Sequence, residues 1–208
     1  MASCIQPIVE TSARRFTSEV SALALPNISA YVAAVRTLAH SVEDPALRQG
    51  RAPENAQGMP VFASGEFSAV FRIDCPSDGR SWALKCYTRE YPGLRNRYAA
   101  IADHFNQEWP SYLVDCKWLD RGIRVGGQWY PCVRMPWLQG MPLGQFVYRN
   151  LDQPRVLSRL AEIWWKLAAR MRLAGVAHPD LHPGNIWLVP DQETGRVGIK
   201  LIDCDALF

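Results

Sequence analysis

His178-Pro179-Asp180-Leu181-His182-Pro183-Gly184-Asn185-Ile186-Trp187, followed by Leu201-Ile202-Asp203, decides the reading of this chain. An Asn stands five positions after the first Asp, and a second Asp closes a short apolar run. Phosphoryl transfer from a nucleotide needs such a set. One carboxylate takes or orients the proton of the attacking hydroxyl, while an amide oxygen and another carboxylate hold magnesium. His178 and His182 stand four apart, as zinc ligands on a helix would. Pro179, Pro183 and Gly184 oppose a helix there, so zinc is discounted.

An independent signal lies upstream. Ser81-Trp82-Ala83-Leu84-Lys85-Cys86-Tyr87 reads as a strand carrying a Lys, whose ammonium suits the α- and β-phosphates of a nucleotide. Ahead of it lies Ala63-Ser64-Gly65-Glu66-Phe67-Ser68-Ala69-Val70-Phe71. Small residues at 63, 65 and 68 let backbone N–H groups approach phosphate oxygens. Ser77-Asp78-Gly79-Arg80 supplies a turn between the two segments.

The ordered set resembles the protein-kinase-like superfamily: a D-x-x-x-x-N loop, a strand-borne Asp, a V-A-I-K-like strand and a partly degenerate glycine loop. The lead-in is similar to that of a group of bacterial kinase-like proteins, through Tyr31-Val32, Asp44-Pro45-Ala46-Leu47-Arg48-Gln49-Gly50 and Ser64-Gly65-Glu66-Phe67. The resemblance implies an α+β, bilobal fold with a β-rich N-lobe and an incomplete helical C-lobe. Residues 1–56 would be a helical extension and linker, 57–139 the N-lobe with its hinge, and 140–208 a truncated C-lobe.

The same resemblance implies roles. Asp180 would be the base and Lys85 the phosphate anchor. Asn185 and Asp203 would hold Mg2+. ATP would lie against Ala63, Ser64, Gly65, Phe67, Ser68 and Val70 of the loop, and against Ala83 and Lys85. Val133 to Gly140 looks like the hinge, with Met135 as gatekeeper, the Pro136 carbonyl facing the adenine amine, and Leu138 offering N–H and C=O. His178 would hydrogen-bond backbone near the magnesium-binding segment. The expected activity is transfer to a protein Ser/Thr hydroxyl. A nucleotide-binding pseudokinase or scaffold, and a small-molecule phosphotransferase, stay open. The loop H-P-D-L-H-P-G-N lacks the Arg and Lys of protein kinases and is similar to that of aminoglycoside and choline phosphotransferases. Asp203-Cys204-Asp205 departs from D-F-G in the same direction, since a second acid can sit near the metal in those enzymes.

Composition is that of a globular protein, with 48% hydrophobic and 21% charged residues. A net charge of +3 gives no reason to expect nucleic acid or an anionic membrane as partner. No apolar run is long enough to span a bilayer, and the first twenty residues lack a secretory stretch. Six cysteines without a C-x-x-C pair fit reduced thiols in a cytoplasm.

Apolar spacing predicts helices over Asn27–Leu38, capped by Asn27 or Ser29, over 94–105 along Leu94, Tyr98, Ile101 and Phe105, and over 153–173, closed by Gly175. Strands are expected at 67–74, 81–87, 122–126 and 128–135, with a hairpin at Gly126-Gly127, and at 187–189 and 199–202 about a turn at 191–195. The polar stretch 48–58 reads as a linker. In kinases the 94–105 helix supplies a Glu for the strand Lys. Asp103 and Glu108 are in range, but each reads better as a solvated acid. Little follows Asp203, so a piece of a longer protein, a truncated gene product or a degenerate relative is expected. The 153–173 stripe, with Trp164 and Trp165, would then lack cover and promote self-association.

Overall fold

The computed structural model describes residues 24–190 and 196–207. Its main sheet has five antiparallel strands: β1 (Phe62–Ser64), β2 (Ser68–Cys75), β3 (Arg80–Tyr87), β4 (Lys117–Val125) and β5 (Gln128–Pro136), in the order β1-β2-β3-β5-β4. A smaller antiparallel sheet joins β6 (Met141–Pro142), β7 (Ile186–Pro190) and β8 (Val197–Leu201). The helices are α1 (Ile28–Val35), α2 (Leu38–Ser41), α3 (Pro45–Arg48), α4 (Leu94–His104), α5 (Leu143–Arg149) and α6 (Pro154–Leu173). The architecture is mixed α+β.

Period-two patterning makes the main sheet a middle layer. Ala69, Phe71 and Ile73 of β2 pair with Cys86, Leu84 and Trp82 of β3, and all six face one side. Tyr31, Val35, Leu38, Val42 and Leu47 from the segment of α1 to α3 cover that side as one apolar core. The opposite face carries Val70, Ala83, Lys85, Val133 and Met135. Most of it packs with Leu94, Tyr98 and Ile101 of α4, Leu167 and Met171 of α6, and Ile186, Leu188 and Leu201 of the small sheet. Burying such side chains stabilises by about 1.5–3 kcal/mol each.

Asp44 ties the N-terminal helices down. Its carboxylate caps α3 through the Ala46 N–H at 3.0 Å and receives Arg134 Nη1 of β5 at 2.8 Å, while Trp82 lies 4.3 Å beneath the guanidinium. Beyond Arg48, the end of α3, residues 49–58 contain no helix or strand but are pinned, because Arg51 and Asp74 exchange backbone hydrogen bonds of 2.8 Å. Glycine is obligatory at position 50, where a Cβ would come within 2.4 Å of Ile73 Cγ2.

Three expectations change, and one helix, α5, was not foreseen. The helix expected over Asn27–Leu38 is capped by Asn27 but stops at Val35, and α2 begins at Leu38. Thr37 explains the break: its hydroxyl bonds the Ala34 carbonyl and reaches Ser41, competing with the helical ladder. β4 begins at Lys117, not 122. Its first half is charged and half exposed, and a register shift between Leu119 and Ile123 masks the alternation. α5 has no buried residue, so it left no apolar stripe to read. The α6 stripe is not left uncovered: Leu160, Ile163 and Trp164 are half-buried against the core, and Leu167 and Met171 are buried. Trp165 and Leu173 are the exposed large apolar residues of that helix.

Turn chemistry meets expectation elsewhere. Gly126 and Gly127 both have positive φ and close a two-residue hairpin. After α6, Val176 N–H donates to Met171 O and Gly175 N–H to Arg172 O, with Gly175 at φ 65°. That is a Schellman cap. The turn expected at 191–195 lies outside the described residues. No helix among the described residues is long and apolar enough to cross a membrane.

Candidate active site

Lys85 sits on the inward face of β3 and is 5% exposed. Its Nζ donates to Asp203 Oδ1 at 2.8 Å and to Asp205 Oδ2 at 2.7 Å. Burial alone would lower its pKa; the charges of Asp205 and Asp203 outweigh that and hold the ammonium above its ordinary value. Asp103 and Glu108 are both exposed. The carboxylates at Lys85 therefore come from the chain after β8, not from α4 or the residues just after it.

Asp203 is placed by strand pairing on two sides. β8 pairs with β7, and Leu201 also exchanges hydrogen bonds with the 112–114 segment, from Leu201 N to Tyr112 O at 2.7 Å and from Val114 N to Leu201 O at 3.0 Å. Asp203 has φ 65°, the one non-glycine residue with positive φ among those described. Its Oδ1 accepts from the Asp205 N–H at 3.4 Å, which closes a 3₁₀ turn at Cys204–Ala206. A left-handed Asp is tolerated at a local cost and recurs where function demands it.

The 178–185 loop is fastened to the same strand end. His178 Nε2 donates to Ile202 O at 2.9 Å, the role expected of it, and Ile202 N donates to Asn185 O at 3.0 Å. Asn185 is buried. Its Nδ2 donates to the Asp180 carbonyl at 3.1 Å and to Asp180 Oδ2 at 3.2 Å. With Nδ2 so engaged, the amide oxygen is the Asn185 atom that could hold a cation. Asp180 itself is exposed, with His182 Nε2 3.9 Å from its carboxylate.

The segment 63–71, expected to form a phosphate loop, reaches β3 through the pairing of β1 with β2 and of β2 with β3. Ala63 and Ser64 belong to β1, and Gly65 opens the β1–β2 turn through its N–H to Ser68 O at 2.9 Å. A Cβ at Gly65 would meet no atom within 4 Å. Phe67, at the loop tip, stands edge-to-face on Tyr91 at 5.8 Å. Val70 pairs with Lys85 and Ala83 with Met135, so these residues share the Lys85 face. Pro136 ends β5, and Trp137 and Leu138 pack half-buried on the inner core beyond it.

Sequence reasoning missed two residues here. Tyr87 and Tyr98 both donate through their hydroxyls to Asp205 Oδ1, at 2.9 and 2.6 Å. Burial raises both phenol pKa values, helped next by Asp205 at Tyr87 and by Tyr87 and then Asp205 at Tyr98, so these hydroxyls keep their protons as donors. Tyr98 was legible only as one member of the α4 stripe. Cys116 Sγ lies 3.1 Å from Cys204 Sγ, and that contact, with burial, raises the Cys116 pKa. A cleft of about 410 Å³ opens beyond Tyr87, lined by Tyr91, Leu94 and Trp118, and contains none of Asp180, Asn185 and Asp203.

No protein-family model matches the chain, and no curated protein matches its sequence.

Proposed function

We propose that the chain carries a protein-kinase-like site for phosphoryl transfer from Mg-ATP to a hydroxyl, with a protein Ser or Thr as the acceptor. The observation that carries this reading is the meeting of Lys85 with Asp203 at 2.8 Å, beside a loop that presents Asp180 and Asn185. The reading treats the main sheet as an N-lobe and the small sheet with α5 and α6 as part of a C-lobe.

The donor set fits the ligands. The Asn185 amide oxygen and the Asp203 carboxylate are hard oxygen ligands of the kind magnesium takes alongside substrate phosphates. Among the described residues no three His, Cys, Asp or Glu side chains cluster as a metal cage. Magnesium held chiefly by one carboxylate, one amide and phosphates needs no such cage. Gly65 has neither a positive φ nor a close neighbour, so nothing in the chain itself calls for glycine there. An approaching phosphate would.

Each group then has one task. Lys85 anchors the phosphates, and its burial strengthens that attraction. Asp180, exposed and steadied by Asn185, takes or orients the acceptor proton. His178 holds the Ile202 carbonyl, just ahead of Asp203, in place. Magnesium, when bound, supplies neutralisation of phosphate charge. Val70, Ala83 and Met135 offer an apolar face for a purine, with Pro136 and Leu138 at its edge.

Calorimetric titration of the folded chain with Mg-ATP, followed by a γ-phosphate turnover assay on a generic Ser/Thr substrate, tests the proposal. Binding in the micromolar to millimolar range is expected. A folded chain that takes up no nucleotide would sink the proposal.

A further inference from the structure

The two carboxylates on Lys85 are not equivalent. Asp203 has a side chain 36% exposed, and Asp205 one that is 14% exposed. Asp205 is held from several directions. Oδ2 accepts from Lys85, Oδ1 accepts from both Tyr87 and Tyr98, and its backbone carbonyl accepts from Arg97 Nη1. The Asp203 carboxylate accepts from Lys85 and from a backbone N–H of its own turn. A carboxylate with three charge-assisted or hydroxyl donors is fixed in place. One with an open side can turn toward a cation.

Tyr87 stands two residues from Lys85 on the same strand face, while Tyr98 and Arg97 belong to α4. The Tyr98 ring stacks on Trp118 of β4 at 5.5 Å, which locks its hydroxyl on Asp205. α4 thus reaches Lys85 through Asp205 and contributes no acid of its own.

We propose that Asp205 is the positioning residue for Lys85, and that Tyr98 couples the placement of α4 to it, leaving Asp203 available for a cation. This deepens the phosphotransferase reading and rests on it for its consequence in turnover. The geometric part stands independently. Three elements meet at Asp205: β3 through Lys85 and Tyr87 at the carboxylate, α4 through Tyr98 at the carboxylate and Arg97 at the backbone carbonyl, and the turn after β8, to which Asp205 belongs. Movement of α4 away from the sheet removes two of the donors to Asp205 and frees Lys85 to swing.

The test compares Asp205→Asn, Asp203→Asn and Tyr98→Phe with the parent chain, each first confirmed as cooperatively melting. Lys85 is acetylated with N-hydroxysuccinimidyl acetate at fixed pH, and its labelling rate is read by peptide mass spectrometry. Asp205→Asn should speed labelling roughly tenfold or more, and Tyr98→Phe severalfold, because each loosens a charge-assisted contact. Asp203→Asn should have the smaller effect. Faster labelling in Asp203→Asn than in Asp205→Asn, or no change in a folded Tyr98→Phe, overturns the proposal. Asp205→Glu should restore slow labelling at least in part, which a purely structural loss would not.

Mg-ATP titration of the same variants separates the two readings. Asp205→Asn should weaken nucleotide binding roughly tenfold while keeping its dependence on magnesium, and Asp203→Asn should lose that dependence. If labelling behaves as stated but the parent chain binds no nucleotide, the positioning role stands and the phosphotransferase function falls.

Discussion

Lys85 and Asp203 lie 118 positions apart in sequence and 2.8 Å apart in space. Lys85→Met removes the cation and leaves Asp203 and Asp205 facing each other. Mg-ATP binding and turnover should both be lost, while the main sheet keeps its two apolar cores and still melts cooperatively. Calorimetry with a thermal melt checks this; nucleotide affinity equal to that of the parent chain would remove Lys85 from the site.

Asp180 is exposed and touches the loop, not Lys85. Asp180→Ala should cut phosphoryl transfer by roughly 10²–10⁴-fold, as loss of a general base does. Nucleotide affinity should stay close to that of the parent chain. Rates from single-turnover assays, set beside dissociation constants, separate the two effects; undiminished transfer would exclude Asp180 from the chemistry.

Asp44 is 2% exposed at its side chain and bonds both Arg134 and the start of α3. Asp44→Ala should cost about 3–5 kcal/mol, because it strands a largely buried guanidinium and uncaps a helix. Urea denaturation measures the loss. A change below about 1 kcal/mol would show that the N-terminal helices are held by apolar burial alone.

Gly122 passes against β5 so closely that a Cβ would stand 2.0 Å from Cys132 Sγ and 2.9 Å from Cys132 N. Backbone cannot yield as a side-chain tip does. Gly122→Ala should destabilise by about 1–3 kcal/mol and open the β4–β5 register. The midpoint of chemical denaturation reads the first effect, and amide exchange along 117–125 the second.

Asp74 gives a pH signature. Burial alone would raise its pKa, but the Ser81 hydroxyl and Arg72 outweigh that and lower it below the ordinary carboxylate value. A depressed folded pKa contributes stability above the unfolded value of about 3.9, and that stability is lost as pH falls through the lower folded value. Asp74→Asn should therefore be less stable than the parent chain at pH 7, by about 1 kcal/mol. The gap should be narrower at about pH 3, below the unfolded value. Denaturation midpoints at the two pH values test this, and an equal gap at both would deny the ionic contribution.

Local elements and the ordered polar residues were legible in the sequence. β2, β3, β5, α4 and α6 appear within a residue or two of their expected bounds, because alternation, helical spacing and glycine turns act over a few neighbours. Gly175, Gly126-Gly127 and Asn27 behave as their local chemistry dictates. Elements whose patterns depend on remote packing were not legible. The first half of β4 carries charges beside a bulge, and α5 buries nothing.

The site divides along the same line. The sequence by itself determined that Lys85, Asp180, Asn185 and Asp203 follow one another in a chemically coherent order, since that order is written in residue type and spacing. Only the tertiary structure decided which acid faces Lys85. Asp103 and Glu108 were in range by sequence distance, yet both are exposed, while Asp205 is pulled in by the Tyr87 and Tyr98 hydroxyls. The reason is physical. A buried ammonium takes the carboxylates that the sheet, α4 and the end of β8 bring within about 3 Å, and sequence separation carries no information about that distance.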